Sequence, residues 1–266
     1  MADSPVLYHK HESIVTLTLH RPATLNAMDE AMLAELERLL SAIETDPAVR
    51  VVVLTGSGRA FSSGGDQKRA RQAEGQERFF DGDLGGTVIG RLNRCILRLQ
   101  RLPKPVLGGI NGVAVGAGCN LALATDLRLA SETARFGEVF TRIGLVPDGG
   151  GTYFLPRLVG TAKALELMFL AEIIDAPEAH RLGLLNWVVP AEQLQAETQQ
   201  LALRLAQGPT LAYGLVKSGV YQGLTMSLAE VLNMEARNQA VAARSQDRAE
   251  GAAAFREKRT AHFVGR

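Results

Sequence analysis

Two glycine-rich segments constrain this chain more than anything else in it. The first is Arg59-Ala60-Phe61-Ser62-Ser63-Gly64-Gly65-Asp66. The second is Asn111-Gly112-Val113-Ala114-Val115-Gly116-Ala117-Gly118-Cys119. Each follows an apolar, strand-like run and leads into a helix-like stretch. Glycine lets bare backbone come close to a ligand, and N–H groups at a helix start favour negative charge. Two such turns facing one another could hold one oxygen between two amides, which is the geometry of an oxyanion hole. That arrangement implies chemistry on a carbonyl.

The flanking patterns indicate an α/β protein. Ile14 to Leu19 and Val51 to Thr55 read as strands, the second buried on both faces. Asp29 is placed to cap a helix whose apolar positions, Met32 to Ile43, follow the 3.6-residue period. Leu92 to Leu102 reads as a helix ending at Pro103. Pro105 to Ile110 and Leu127 to Ala130 read as strands, and residues 67 to 85 as a mobile loop with a frayed helix. Beyond Gly144 the helix period dominates: Thr161 to Leu170, Pro177 to Leu182, Glu192 to Ala206, Thr210 to Tyr221, Ser227 to Ala242 and Asp247 to Lys258. Gly208-Pro209 reads as a hinge, which divides the chain into a core at 1–207 and a helical region at 208–266.

Composition narrows the function classes. The chain has 266 residues, 46% of them hydrophobic and 21% charged, with net charge +1 and no long run of one sign. Neither nucleic acid nor a membrane is expected as a partner. The uncharged stretch Pro105 to Thr125 is not a membrane span. It carries five glycines between 108 and 118, each costing a helix about 1 kcal/mol. Cys95 and Cys119 form no disulfide framework or metal spacing, and the start Met1-Ala2-Asp3-Ser4-Pro5 lacks a signal-peptide pattern. A cytoplasmic location is the expectation. No Walker loop or dinucleotide fingerprint is present, so neither ATP nor NAD is implied.

Taken in order, a set of short motifs resembles the enoyl-CoA hydratase/isomerase (crotonase) superfamily. They are His20 to Ala27, Val53-Leu54-Thr55-Gly56, Ala60 to Asp66, Lys104-Pro105 with Asn111-Gly112, Gly144 to Thr152, and Phe255 to Arg259. The resemblance implies a spiral of β-β-α turns with a C-terminal helical region that packs as a trimer or hexamer. It implies an acyl-CoA thioester as substrate, with coenzyme A entering only as part of that substrate. The oxyanion-hole amides would be those of Gly65 and Ala117. The coenzyme A would be met by Ala23 and Leu25, by Ser63, Gly64, Asp66 and Gln67, and, from a neighbouring subunit, by Phe255 and Lys258. Two local alternatives stand beside this: Asp66 can cap the next helix, and Lys258 can be an exposed helix charge.

The acids depart from the family pattern. Hydratases of this family use two glutamates, and the matching positions here are Asn120 and Phe140. Neither transfers a proton in that role. Asp148 remains, as in ring-epoxide and enoyl-CoA isomerases that resemble this stretch and use a single aspartate. Asp148 reads either as the base or as a mere N-cap of the following helix. Glu138 is the reserve candidate, sharing a face with Phe140 if that segment is a strand, or else a solvated or paired surface acid. Cys119, near a helix start, is either a favoured thiolate or a small buried residue. The phenylalanines 79, 80, 136, 140 and 154 either line an aromatic pocket or fill the core.

The expected activity is double-bond isomerisation of an unsaturated acyl-CoA through an enolate, with Asp148 as base. The alternatives are a hydratase with unusual acids, an aspartate-nucleophile dehalogenase or thioesterase, and a non-catalytic coenzyme A-binding protein.

Overall fold

A computed structural model of the protein describes residues 4–66 and 87–266. Gln67, Phe79, Phe80 and the loop expected at 67 to 85 lie outside the described residues.

Two sheets are wound together. The larger has six strands in the order β1-β2-β3-β5-β7-β10. Its members are β1 (Val6–His11), β2 (Ile14–Leu19), β3 (Val51–Gly56), β5 (Val106–Ile110), β7 (Leu127–Ser131) and β10 (Trp187–Val189). The smaller holds β4 (Ala60–Ser62), β6 (Val113–Val115), β8 (Arg135–Gly137) and β9 (Ile174–Asp175). Strands β3, β5 and β7 each enter the large sheet, and the strand that follows each one enters the small sheet. This repeat is the spiral that the motifs implied. Helix α1 (Glu30–Thr45), α2 (Val88–Arg101) and α3 (Ala117–Leu123) cover the core.

The uninterrupted apolar run of β3 is explained by what meets its two faces. Val52 and Leu54 enter the main core with Leu36 and Leu40 of α1. Val51 and Val53 pack against Ala202 and Ala206 of a later helix, α7 (Leu194–Ala206). A strand covered on both sides has no reason to alternate. Strand β1 escaped the sequence reading because only Val6 of it is buried.

Capping sets the helix starts. Asp29 accepts from the Met32 N–H at 2.9 Å. Helix α2 begins at Val88, before the expected Leu92, because Thr87 accepts from the Gly90 N–H at 3.0 Å. Helix α7 is preceded by a 3-10 turn at Ala191–Gln193, where a continuous helix from Glu192 was expected.

The remaining helices are α4 (Gly151–Val159), α5 (Thr161–Leu170), α6 (Ala176–Arg181), α8 (Thr210–Gly223), α9 (Leu228–Ala242) and α10 (Gln246–Glu257). Helix α8 is tied to the core through charge. Lys217 pairs with Asp126 at 2.8 Å and donates to the Leu99 carbonyl at 2.7 Å. Tyr221 donates to the same aspartate at 3.0 Å. The Arg50 guanidinium bonds the Gly208 carbonyl at the expected hinge and the Thr210 hydroxyl beside it. No helix among the described residues is long and apolar enough to cross a membrane.

Candidate active site

The two glycine-rich segments meet edge to edge. Strand β4 pairs in parallel with β6, with Ala60 opposite Val113 and Ser62 opposite Ala114. The close approach excludes side chains. A Cβ on Gly64, whose φ is +89°, would stand 2.8 Å from the Val115 carbonyl oxygen and 3.3 Å from the Ala117 nitrogen. One on Gly118 would overlap the Ser62 carbonyl.

This packing orients two amides. Gly65 forms an isolated parallel bridge with Met28, flanked by bonds from Met28 N–H to Gly64 O and from Asp66 N–H to Met28 O. Because adjacent residues of an extended chain point opposite ways, the Gly65 N–H turns away from Met28. Ala117 is the first residue of α3, so its N–H has no acceptor one turn back. Both residues line one cavity, and Asp148 lines it too. The rest of the wall is apolar, with Met28, Leu33, Leu92, Phe140 and Leu145 among its residues.

Asp148 does not cap α4. The N-cap is Gly150, with no side-chain hydrogen bond, and it is the Asp148 main-chain carbonyl that accepts from Gly151. The carboxyl atom Oδ1 is buried and has no hydrogen-bond partner among the described residues. Burial pushes this carboxyl up to about 6, opposed by its own backbone N–H. Asn120 holds the residue from behind, its Nδ2 donating to the Asp148 main-chain oxygen at 2.7 Å. A Cβ on Gly151 would come within 2.6 Å of that nitrogen, so the glycine lets the loop close over Asn120.

The enoyl-CoA hydratase/isomerase family model matches residues 9–266. The chain belongs to the enoyl-CoA hydratase/isomerase family. It is 40% identical over 262 residues to the 1,2-epoxyphenylacetyl-CoA isomerase of Escherichia coli K12, covering 98% of each chain. It is 35% identical over 268 residues to the crotonyl-CoA hydratase of Syntrophomonas wolfei, covering all of both. Among solved structures, the enoyl-CoA hydratase of Bacillus anthracis superposes with a TM-score of 0.90 at 32% identity, over 98% of this chain and 100% of that one. The fold is the crotonase fold of this family.

Within this family member, Phe140 is buried and lines the cavity as a wall, while Phe136 and Phe154 belong to the core. Glu138 differs from its expected surface role. It is 2% exposed and follows β8 at the start of a 3-10 turn, Val139–Ile143, where a strand had been one expectation. Burial pushes its carboxyl up to about 8, with the nearby Asp148 adding to the rise and the Asn120 amide opposing it. Cys119 is no thiolate: burial drives its thiol well above the ordinary range, which outweighs the helix start. Cys95 is likewise pushed up to about 12 by burial.

The residues expected to meet coenzyme A fall into two groups. Leu25 lies against the first glycine turn, and Ala23 sits in the 3-10 turn Pro22–Thr24 just before it. The Ser63 N–H donates to the Leu25 carbonyl at 2.9 Å, and its hydroxyl donates to the Thr24 carbonyl at 3.1 Å. Gly64 and Asp66 continue that wall, and Asp66 accepts from Arg21 at 3.0 Å. The residues after Asp66, whose start it was expected to cap, lie outside the described residues. Phe255 and Lys258 are elsewhere. Phe255 is 86% exposed on α10, beside Phe263, and Lys258 ends that helix. Neither lines the cavity of a single chain.

The sequence reading missed a polar hub. Arg21 reaches Asp66, the Ala27 carbonyl and Asp29, the cap of α1. Asn26, fully buried, donates to the carbonyls of Ser57 and Ala60 and accepts from the Arg21 N–H. Arg21 and Asn26 stood in a quoted motif, but no local pattern announces partners some 30 to 45 residues away.

Proposed function

We propose that the protein isomerises the double bond of an unsaturated acyl-CoA through an enolate, with Asp148 as the base and the Gly65 and Ala117 amides as the oxyanion donors. The observation that carries this reading is the Asp148 carboxyl, whose buried Oδ1 has no hydrogen-bond partner among the described residues, on a residue that lines the same cavity as Gly65 and Ala117. In the reaction, the thioester oxygen accepts from the two N–H groups. Asp148 takes a proton from the carbon between the carbonyl and a 3,4 double bond. The electron pair left behind spreads onto the thioester oxygen on one side and, through the 3,4 double bond, onto the far carbon on the other. The proton returns at the far carbon, and a 2-enoyl-CoA results. Substrate and product are isomers, so no group is needed beyond the coenzyme A carried by the substrate.

A carboxyl raised to about 6 is still ionised near neutrality and is a stronger base than an ordinary aspartate. One oxyanion donor is worth roughly 10²- to 10³-fold in rate. The missing acids also favour isomerisation over hydration. Moving a proton takes one base, whereas adding water in this family engages two carboxyls, and Asn120 and Phe140 stand at those positions.

The segments Ala23–Leu25 and Ser63–Gln67 are proposed to meet the coenzyme A, with Phe255 and Lys258 reaching it from a second subunit. The assembly is proposed to hold three or six chains, and exposed apolar residues on the C-terminal helices, such as Val216, Val220 and Leu228, support association.

The test is to supply 3-enoyl-CoA and 2-enoyl-CoA and follow both by absorbance and mass spectrometry. Conversion of the first to 2-enoyl-CoA, lost in Asp148→Asn, is expected. Rapid hydration with no double-bond shift overturns the reading, and full activity in Asp148→Asn overturns the assignment of the base.

A further inference from the structure

Glu138 is a buried acid that the proposed reaction leaves unused. It is not among the residues that line the cavity. Its Oε2 lies 3.5 Å from the Asn120 Nδ2, the same nitrogen that donates to the Asp148 main-chain oxygen at 2.7 Å. Asn120 is fully buried. Glu138 Oε1 and Asn120 Oδ1 are both buried without a hydrogen-bond partner among the described residues. One amide therefore stands between two acidic residues, bonded closely to one and loosely to the other.

We propose that Glu138 is a positioning residue for Asp148: as a neutral acid it leaves the Asn120 amide to the Asp148 carbonyl, and on losing its proton it draws that amide away. The proposal rests on the reading of Asp148 as base. A hydrogen bond to a carboxylate is roughly twice as strong as one between neutral groups. The Asn120 amide has two N–H groups, one for each neighbour, and an ionised Glu138 draws the nitrogen towards itself and away from the neutral Asp148 carbonyl. The loop that carries the base therefore loses its anchor as pH rises.

The titratable groups that act on Glu138 are few. Cys119 on α3 bonds it, and Asp148 on the loop before α4 repels its charge. Arg128, on β7, acts on Cys119. Burial keeps Cys119 a thiol, so its charge does not change through the relevant range. Burial holds the Glu138 proton up to about pH 8.

The experiment compares the pH dependence of kcat/KM for 3-enoyl-CoA in the wild type and in Glu138→Gln, which cannot ionise. In the wild type, kcat/KM is expected to fall about tenfold between pH 7 and pH 9.5, as one group titrates. In Glu138→Gln it is expected to fall less than about twofold over the same span. A wild type with no alkaline fall, or an unchanged fall in Glu138→Gln, overturns the proposal. A second arm needs no activity. Wild-type protein labelled with 13C at glutamate Cδ and 15N at asparagine side chains is titrated by NMR without ligand. The Asn120 side-chain signal is expected to move in step with Glu138, and an Asn120 signal indifferent to that titration overturns the proposal. If the wild type turns over no enoyl-CoA, the reading of Asp148 as base fails, and the NMR arm still decides the coupling between Glu138 and Asn120.

Discussion

Asn120 grips Asp148 by its main chain, the Nδ2 lying 2.7 Å from the Asp148 carbonyl oxygen, and does not engage the carboxyl. The position where hydratases of this family carry an acid thus supports the loop that carries the remaining one. Asn120→Ala removes that bond and strands a carbonyl. A loss of about 1–3 kcal/mol in stability is expected, read by urea denaturation. The kcat for isomerisation should drop with it, because the Asp148 loop loses its anchor. Unchanged stability and unchanged kcat together would refute the role.

Asp148→Asn should behave in opposite ways in two assays. Isomerase activity should fall by roughly 10²- to 10⁴-fold, the usual worth of a positioned base. Stability near pH 8 should rise. The folded carboxyl sits at about 6, above its ordinary value of 3.8, so the folded state binds the proton more tightly. Its contribution is fully present below the unfolded value and is lost as pH climbs through about 6. The variant should lack that loss, and thermal melts at pH 4 and pH 8 measure the difference. The same ionisation predicts an acid limb near pH 6 in the wild-type kcat/KM profile.

Gly64→Ala tests the contact between the two turns. The new Cβ would meet the Val115 carbonyl at 2.8 Å, and a φ of +89° strains any L residue. The turn must shift, and with it the neighbouring Gly65 amide. We expect about 1–3 kcal/mol of destabilisation. We also expect a rate loss of roughly 10²-fold or more, mostly in kcat, as one oxyanion donor is displaced. A variant with wild-type kinetics would remove the Gly65 amide from the mechanism.

Arg21→Ala should separate binding from chemistry. Arg21 joins Asp29, Asp66 and the Ala27 carbonyl, and so holds the Ala23–Leu25 segment against the first glycine turn. Removing one partner of such a partly buried network costs about 2–4 kcal/mol. If that segment meets coenzyme A, KM for the thioester should rise more than kcat falls. Isothermal titration with coenzyme A alone provides the check, and unaltered affinity would count against the assignment.

Much of this site was legible before any coordinates. The glycine pattern announced two close backbone approaches, and an added Cβ at Gly64 or Gly118 shows why no other residue serves. The strand and helix periods located β2 and α5 closely, because each buries a regular face, and an unbroken apolar run located β3, which is covered on both. Short strands such as β6 and β8 were invisible, since three residues carry no periodicity. Glu138 was misjudged for a related reason. Its local sequence looks like a surface turn, and only packing against Cys119 and Asn120 of α3 makes it a buried, neutral acid.

The chain's own order of residues determined its family, its α/β winding and the backbone shape of the two turns, because those depend on local sterics and on which faces are apolar. Whether Asp148 caps a helix or lines a cavity was decided only in three dimensions. A carboxyl's basicity depends on the water removed from around it, and here that water is displaced by residues from distant parts of the chain, Met28 and Leu92 among them.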